Sequence, residues 1–272
     1  MVTGHRVTVA MTSKSTENKD YNKLSIQVSL DGFSFYVRNE INNHTSDFTY
    51  IPFLESQSPN AALDQIIEIF ADNHVLQADF KSVEVVYKNE LFTLVPSALF
   101  DKSKLTDYLK YNIKILQTDY VAYDEINEHN LVNVYIPYTN INNYFFDRFG
   151  SFTFLHNMSV FVKEVLDNAE VTSPTKIATH LGENSIDVVI HKGKQLLLAN
   201  TYDYNTPEDV LYYLLFCMEQ LDLNTNETEL SLSGKIAKND DIYNLAYKYI
   251  RKIGINENDE LNGLQNLKIP II

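Results

Sequence analysis

One order of signals occurs twice in this chain, and few folds can host it. Leu24, Ile26, Val28 and Leu30 alternate with Ser25, Gln27 and Ser29, the period of two that a half-buried strand requires. Asp31-Gly32 follows, and then Phe33, Phe35 and Val37 alternate again. Asp-Gly between alternating runs predicts a hairpin, because its tight turn calls for positive φ. A third strand is expected near 47–53. Ser58-Pro59 then marks a helix start with proline at the first helical position, and Ala62, Ile66, Ile69 and Phe70 line one face of that helix. Residues 82–87 read as a further strand.

The second half repeats the order with different residues. Ile186, Val188 and Ile190 alternate, Lys192-Gly193 turns the chain, and 196–202 return as a strand. Thr206-Pro207-Glu208-Asp209 opens a helix with a threonine cap, proline at the first position and an acid three residues after the cap. Val210, Leu211, Leu214, Leu215, Met218 and Leu221 recur at helical spacing, and Tyr212, Tyr213, Phe216 and Cys217 fill the other faces. Residues 229–233 form a strand ending in Gly234, and 240–253 are expected to form a last helix. The pattern predicts an α/β chain with mixed sheets, one supersecondary unit used twice in two subdomains. Helices near 104–113, 141–149 and 158–167 and strands near 120–123 and 131–136 lie between the copies. The boundaries expected are a polar tail over 1–22, a first subdomain over 23–150, a second over 151–253, and a C-terminal tail over 254–272.

Composition narrows the function classes. The 272 residues are enough for a real core, with 44% hydrophobic and 21% charged residues. The net charge of −14 argues against binding nucleic-acid backbone, and equally against docking on anionic lipid. No run approaches the length of a membrane span, so no membrane insertion is expected. Cys217 is the only cysteine, so no intramolecular disulfide forms; a cytoplasmic protein is expected.

Three segments sharpen the duplicated pattern into a resemblance. Leu24–Phe35 looks like the first phosphate-loop hairpin of the actin-like ATPase fold, which is built on ribonuclease-H-like units. Leu181–Ile190 looks like the second hairpin, and Glu229–Ile236 like the strand entering the adenosine loop. Together they make the chain similar to an uncharacterised bacterial family with a degenerate actin-like ATPase fold. That family is distantly similar to the pilus-assembly and type II secretion proteins built on the same fold. The resemblance spans roughly residues 22–253.

The departures from the active pattern are as informative as the likeness. Active members bring an Asp from each hairpin to metal and water, with small residues close to the phosphates. Here Ser29 is registered with the first Asp, and Asp31 stands in the turn where glycine is usual, followed by Gly32. Phe33 and Phe35 stand where Ser or Thr would donate to phosphate. His180 stands at the second Asp position, with Gly182 retained, and Gly234 remains of a glycine pair whose other member is Lys235. A hard cation needs oxygen ligands, and neither expected carboxylate is in register. The resemblance therefore implies a pseudo-ATPase: a non-catalytic binding or scaffold protein with no cofactor and another protein as partner. Its alternative is an ATPase or phosphotransferase that uses ATP with magnesium in the interdomain cleft through displaced carboxylates such as Asp31 and Asp187. On either reading the ligand-binding candidates are Ser29, Asp31, Gly32, His180, Gly182, Asp187 and Gly234.

Other motifs have simpler readings. No histidine pair stands at zinc spacing, and no Walker, GxGxxG or GxSxG sequence occurs. Cys217 lies among large apolar residues and is expected to be packed rather than reactive. Asp124-Glu125 and Asp240-Asp241 are expected at helix starts or on solvated surface. The aromatic run from Tyr135 to Phe149 suits either a partner surface or, preferably, a seam between subdomains. The apolar end Leu264–Ile272 suits a sheet edge, its own or a partner's.

Overall fold

The computed structural model describes residues 2–3, 5–6, 21–54 and 58–256. The chain divides into two compact units, Met1–Ser159 and Val160–Ile272. The first contains β1 (Val2–Thr3), β2 (His5–Arg6), β3 (Asn22–Val28), β4 (Gly32–Asn39), β5 (Thr49–Pro52), α1 (Pro59–Asp72) and β6 (Ser82–Tyr87). It continues through β7 (Phe92–Pro96), α2 (Leu105–Leu109), β8 (Ala122–Ile126), β9 (Leu131–Tyr135), α3 (Thr139–Phe149) and β10 (Thr153–His156). Helix α4 (Asn157–Asp167) runs across the division. The second unit holds β11 (Thr175–Leu181), β12 (Ser185–Lys192), β13 (Gln195–Asp203), α5 (Pro207–Gln220), β14 (Glu229–Gly234), α6 (Asp241–Tyr247) and β15 (Lys252–Ile255).

The two units share one topology. The second sheet has the order β13-β12-β11-β14-β15, with β11, β12 and β13 antiparallel and β14 and β15 added in parallel. In the first unit the order β5-β4-β3-β6-β10 is the same ribonuclease-H-like plan, extended by β2. The first unit also has a second, four-stranded sheet, β1-β8-β9-β7, whose β7, β8 and β9 lie between β6 and α3 in the chain and whose β1 comes from residues 2–3.

Alternation explains which face is core. Leu24, Ile26 and Val28 of β3 and Phe33 and Phe35 of β4 are buried with Ile66 and Phe70 of α1. Phe33 meets Phe70 at 5.7 Å between ring centres, and Phe70 meets Phe145 and Phe149 of α3 at 6.0 and 5.9 Å. The aromatic run around α3 thus packs within the first unit, which neither of its sequence readings anticipated. In the second unit Ile186, Val188 and Ile190 of β12 pack with Val210, Leu214 and Met218 of α5 and with Leu230 and Leu232 of β14. Cys217 is fully buried there, and burial pushes its thiol above the ordinary value. Both capped helices start as expected. Ser58 accepts from the Ala61 N–H, and Thr206 and Asp209 form a reciprocal capping box.

Several expectations need correction. Val2–Thr3 pairs with Glu125 and Ile126, and His5–Arg6 pairs with Thr153 and Phe154, inside the segment whose polarity suggested a tail. An edge strand two residues long needs backbone partners only, so polarity does not forbid it; the other residues up to 20 lie outside the described ones. Thr153–His156, placed in the second subdomain by sequence, joins the first unit's sheet beside β6. The last helix ends at Tyr247, and Lys252–Ile255 is a strand parallel to β14. Ile253 and Ile255 stand two apart, a strand period rather than a helical one. Leu264–Ile272 lies outside the described residues.

Candidate functional site

The two hairpin turns correspond position by position through their backbone bonds. The Ser29 N–H donates to Gly32 O at 3.1 Å, and the Gly182 N–H donates to Ser185 O at 2.8 Å. The Phe53 N–H reaches Asp31 O and the Tyr204 N–H reaches Asn184 O, both at 2.9 Å. The Lys88 N–H reaches Val28 O and the Lys235 N–H reaches Leu181 O, both at 2.8 Å. Ser29 therefore corresponds to Gly182, Asp31 to Asn184, Gln27 to His180 and Ser34 to Asp187. Ser29 and His180, assigned one role from sequence, stand two residues apart in the common frame.

The first turn is closed by its own side chains. The Ser29 hydroxyl touches the Asp31 carboxylate and lies 3.0 Å from Gly32 O. None of residues 29–32 has positive φ, so the backbone reason first given for glycine at 32 does not hold. Gly32 has another: a Cβ there would lie 2.5–2.8 Å from the Tyr50 ring, which covers the turn from β5. The Tyr50 hydroxyl also reaches Asp31 O at 3.5 Å. Phe33 and Phe35 face the core, away from any ligand that approaches the turn.

The second unit brings His180, Asp187 and Gly234 together. His180 of β11 is the cross-strand partner of Asp187 on β12 and of Ser233 on β14, while Asp187 also pairs with Thr201 on β13. Directly opposed residues share a sheet face, so Thr201, Asp187, His180 and Ser233 form one row. A serine, a histidine and an aspartate in sequence across three strands invite comparison with a nucleophilic triad. The hydrogen bonds argue otherwise. The Ser233 hydroxyl donates to Thr179 O at 2.6 Å, so its proton is already committed. The His180 Nδ1 lies 3.4 Å from Ser233 Oγ, and in that bond the imidazole is the donor, not the base. Asp187 is 1% exposed and accepts from the Thr201 hydroxyl at 2.6 Å. Gly234 takes φ +82°, and a Cβ there would lie 2.3 Å from Leu181 O; only glycine fits both demands. Gly182 accepts from the Tyr204 hydroxyl at 2.9 Å. The nearby Lys235 ammonium pairs with Glu183.

A third cluster escaped the sequence. Asp124 is fully buried on β8, not at a helix start or on the surface. Its carboxylate accepts from Tyr135 OH at 3.0 Å, the His156 N–H at 2.8 Å and the Ser159 hydroxyl at 2.6 Å. Asn133 Nδ2 in turn donates to Ser159 Oγ at 2.9 Å, leaving its buried Oδ1 without a hydrogen bond. Burial pushes the Asp124 carboxyl up to about 7, against the pull of the three donors. The signal was present: Asp124 holds the same parity as Ala122 and Ile126, the buried positions of an alternating strand. Among the described residues no three His, Cys, Asp or Glu side chains gather as a metal site. No helix among them is long and apolar enough to cross a membrane.

Solved structures share this architecture. A Bacteroides thetaiotaomicron protein with an actin-like ATPase fold and unknown function aligns with a TM-score of 0.83 at 23% identity, over 92% of this chain and 96% of its own. The PilM–PilN type IV pilus biogenesis complex aligns with a TM-score of 0.56 at 9% identity, over 91% and 94%. The cytoplasmic domain of EpsL, an inner-membrane component of the Vibrio cholerae type II secretion system, aligns with a TM-score of 0.44 at 11% identity, over 88% and 87%. No curated protein matches the sequence. The fold is thus an actin-like ATPase fold. Residues 11–253 match the model of the family described as protein of unknown function (DUF3822), and the chain belongs to that family.

Proposed function

We propose that this protein is a non-catalytic binding protein that keeps the actin-like scaffold without its ATPase chemistry, and that its partner is another protein. The observation behind this reading is that the candidate polar groups of both turns are spent within their own units. The Asp31 carboxylate is taken up by Ser29, and Asp187 is buried against Thr201. Tyr50 covers Gly32, where a phosphate would need close backbone approach. A magnesium ion prefers octahedral oxygen ligands, commonly one or two carboxylates with water and phosphate. Neither turn presents such a carboxylate free of other bonds. The reading therefore includes no nucleotide and no metal.

A protein partner gains support from PilM, a protein of the same fold solved in complex with PilN. A cytoplasmic location belongs to the same reading. A single cysteine, buried and without a disulfide, suits a reducing compartment.

The test is the thermal midpoint with and without Mg–ATP, beside ADP and nucleotide-free controls. A ligand at about 100 times its Kd stabilises by about 2.7 kcal/mol, which is a shift of several degrees for a chain of this size. The expected result is an unchanged midpoint. A shift of that size specific to Mg–ATP would overturn the reading in favour of a nucleotide-using enzyme, with Asp31 as its first candidate ligand.

A further inference from the structure

Among the described residues, the second unit leaves one long sheet edge open. Strand β13 is nine residues long and, among the described residues, pairs only with β12. Natural edge strands are blunted by shortness, by proline or by charge, because an open ladder of N–H and C=O groups recruits other strands. The corresponding edge of the first unit follows that rule: β5 has four residues and ends in Pro52. Strand β13 does not. From Gln195 to Tyr202 it has neither a proline nor a charge, and Leu197 is 36% exposed.

An aromatic row begins on this edge and runs outward along α5. Tyr202 of β13 stacks on Tyr213 at 4.5 Å, with ring planes 12° apart. Tyr213 meets Tyr212 at 5.4 Å, and Tyr212 stacks on Phe216 at 6.0 Å. Tyr212 and Phe216 are 61% and 41% exposed. Large rigid rings held in contact with one another and left in water are typical of interface cores.

We propose that β13 is a dimerisation edge, on which β13 of a second copy adds antiparallel about a twofold axis. Charge at the edge permits this occupant. A chain of net charge −14 resists self-association, yet this strand brings no like charges together. Pairing centred on Ala199 sets Leu198 against Asn200, Leu197 against Thr201, Leu196 against Tyr202 and Gln195 against Asp203. Self-complementarity supports the same choice. A twofold interface uses one patch twice, so the Tyr212–Phe216 row of one copy meets its equivalent across the seam. The inference is independent of whether either turn binds nucleotide.

The test uses the full-length chain in sedimentation equilibrium, with hydrogen exchange of the β13 amides, over about a hundredfold range of concentration. Leu197→Lys and Tyr212→Glu place charge on exposed positions at the seam. The expected result is a reversible dimer whose Kd weakens about tenfold or more in either variant, with the monomer's thermal midpoint unchanged. Exchange protection of β13 should rise with concentration in the unmodified chain, a readout that needs no variant to fold. The proposal fails if the protein is monomeric throughout or if a dimer forms with the same Kd in both variants. It also fails if β13 is protected equally at all concentrations, because the chain itself would then cover the edge.

Discussion

Two rows of side chains occupy one place in two sheets of the same topology. In the first unit the row is Tyr50, Ser34, Gln27 and Val86; in the second it is Thr201, Asp187, His180 and Ser233. The turns beside them repeat each other's backbone bonds, so the difference lies in the side chains alone. The first row holds no carboxylate or imidazole and closes its turn with a tyrosine ring. The second assembles a serine, a histidine and an aspartate, and satisfies the serine against Thr179 O and the aspartate against Thr201. What the two turns share is their backbone hydrogen-bond pattern. Catalytic residue types in suggestive order say little until the direction of each proton is known.

The same frame pairs two lysines in unequal surroundings, and this gives the largest expected effect. Lys23 on β3 corresponds to Lys176 on β11. Lys23 is buried against Glu84 at 2.9 Å, while Lys176 meets Glu229 at 2.8 Å with both side chains about 40% exposed. Glu84 also has a buried oxygen with no hydrogen bond, and burial raises its carboxyl against the pull of Lys23. Lys23→Met should destabilise by about 3–5 kcal/mol, since it strands a buried charge. Lys176→Met should cost about 1 kcal/mol or less. Urea unfolding measures both, and equal costs would break the comparison.

A second test uses the strongly perturbed carboxylate that the first unit keeps outside its row. The folded pKa of Asp124 is about 7 and its ordinary value 3.8. The folded state therefore favours the protonated form. That contribution is fully present below about pH 4 and lost as pH rises through about 7. Across this window the stability of the native chain should fall by up to about 4 kcal/mol from this group, at about 1.4 kcal/mol per unit. Asp124→Asn should flatten the pH dependence of the urea midpoint. A variant with the same pH profile as the parent would show that Asp124 titrates normally.

The smallest effect sharpens the row itself. Ser233→Ala removes one hydroxyl that donates to a backbone carbonyl, a loss of about 1 kcal/mol that thermal unfolding can detect. A much larger loss would mean that Ser233 organises His180 and Asp187 as well.

Much of the fold was legible along the chain. The alternation of Leu24 to Val28 and of Ile186 to Ile190, and the caps Ser58-Pro59 and Thr206-Pro207, are local properties written in neighbouring residues. They mark the duplicated hairpins and the two capped helices without reference to anything distant. Strands β10, β11 and β15 were not legible in the same way. Each has a parallel partner far off in sequence, although β11 also pairs with the neighbouring β12, and β15 is too short to show a period. Of the candidate site, the segments were found but not their register. Ser29 and His180 were matched through sequence likeness, whereas the backbone bonds match Gln27 with His180. Gly32 was expected to supply a positive φ that the turn does not use; what a side chain there would meet is the Tyr50 ring.

The sequence by itself determined an acidic α/β chain with one supersecondary unit used twice, because period, capping and turn chemistry act over a few residues. Only the tertiary structure decided what the polar side chains do. Whether Ser233 gives its proton to His180 or to Thr179 O, whether Asp124 meets water or three buried donors, and what covers Gly32 all depend on neighbours from other strands. Such contacts form when the strands pair, and no local pattern encodes them.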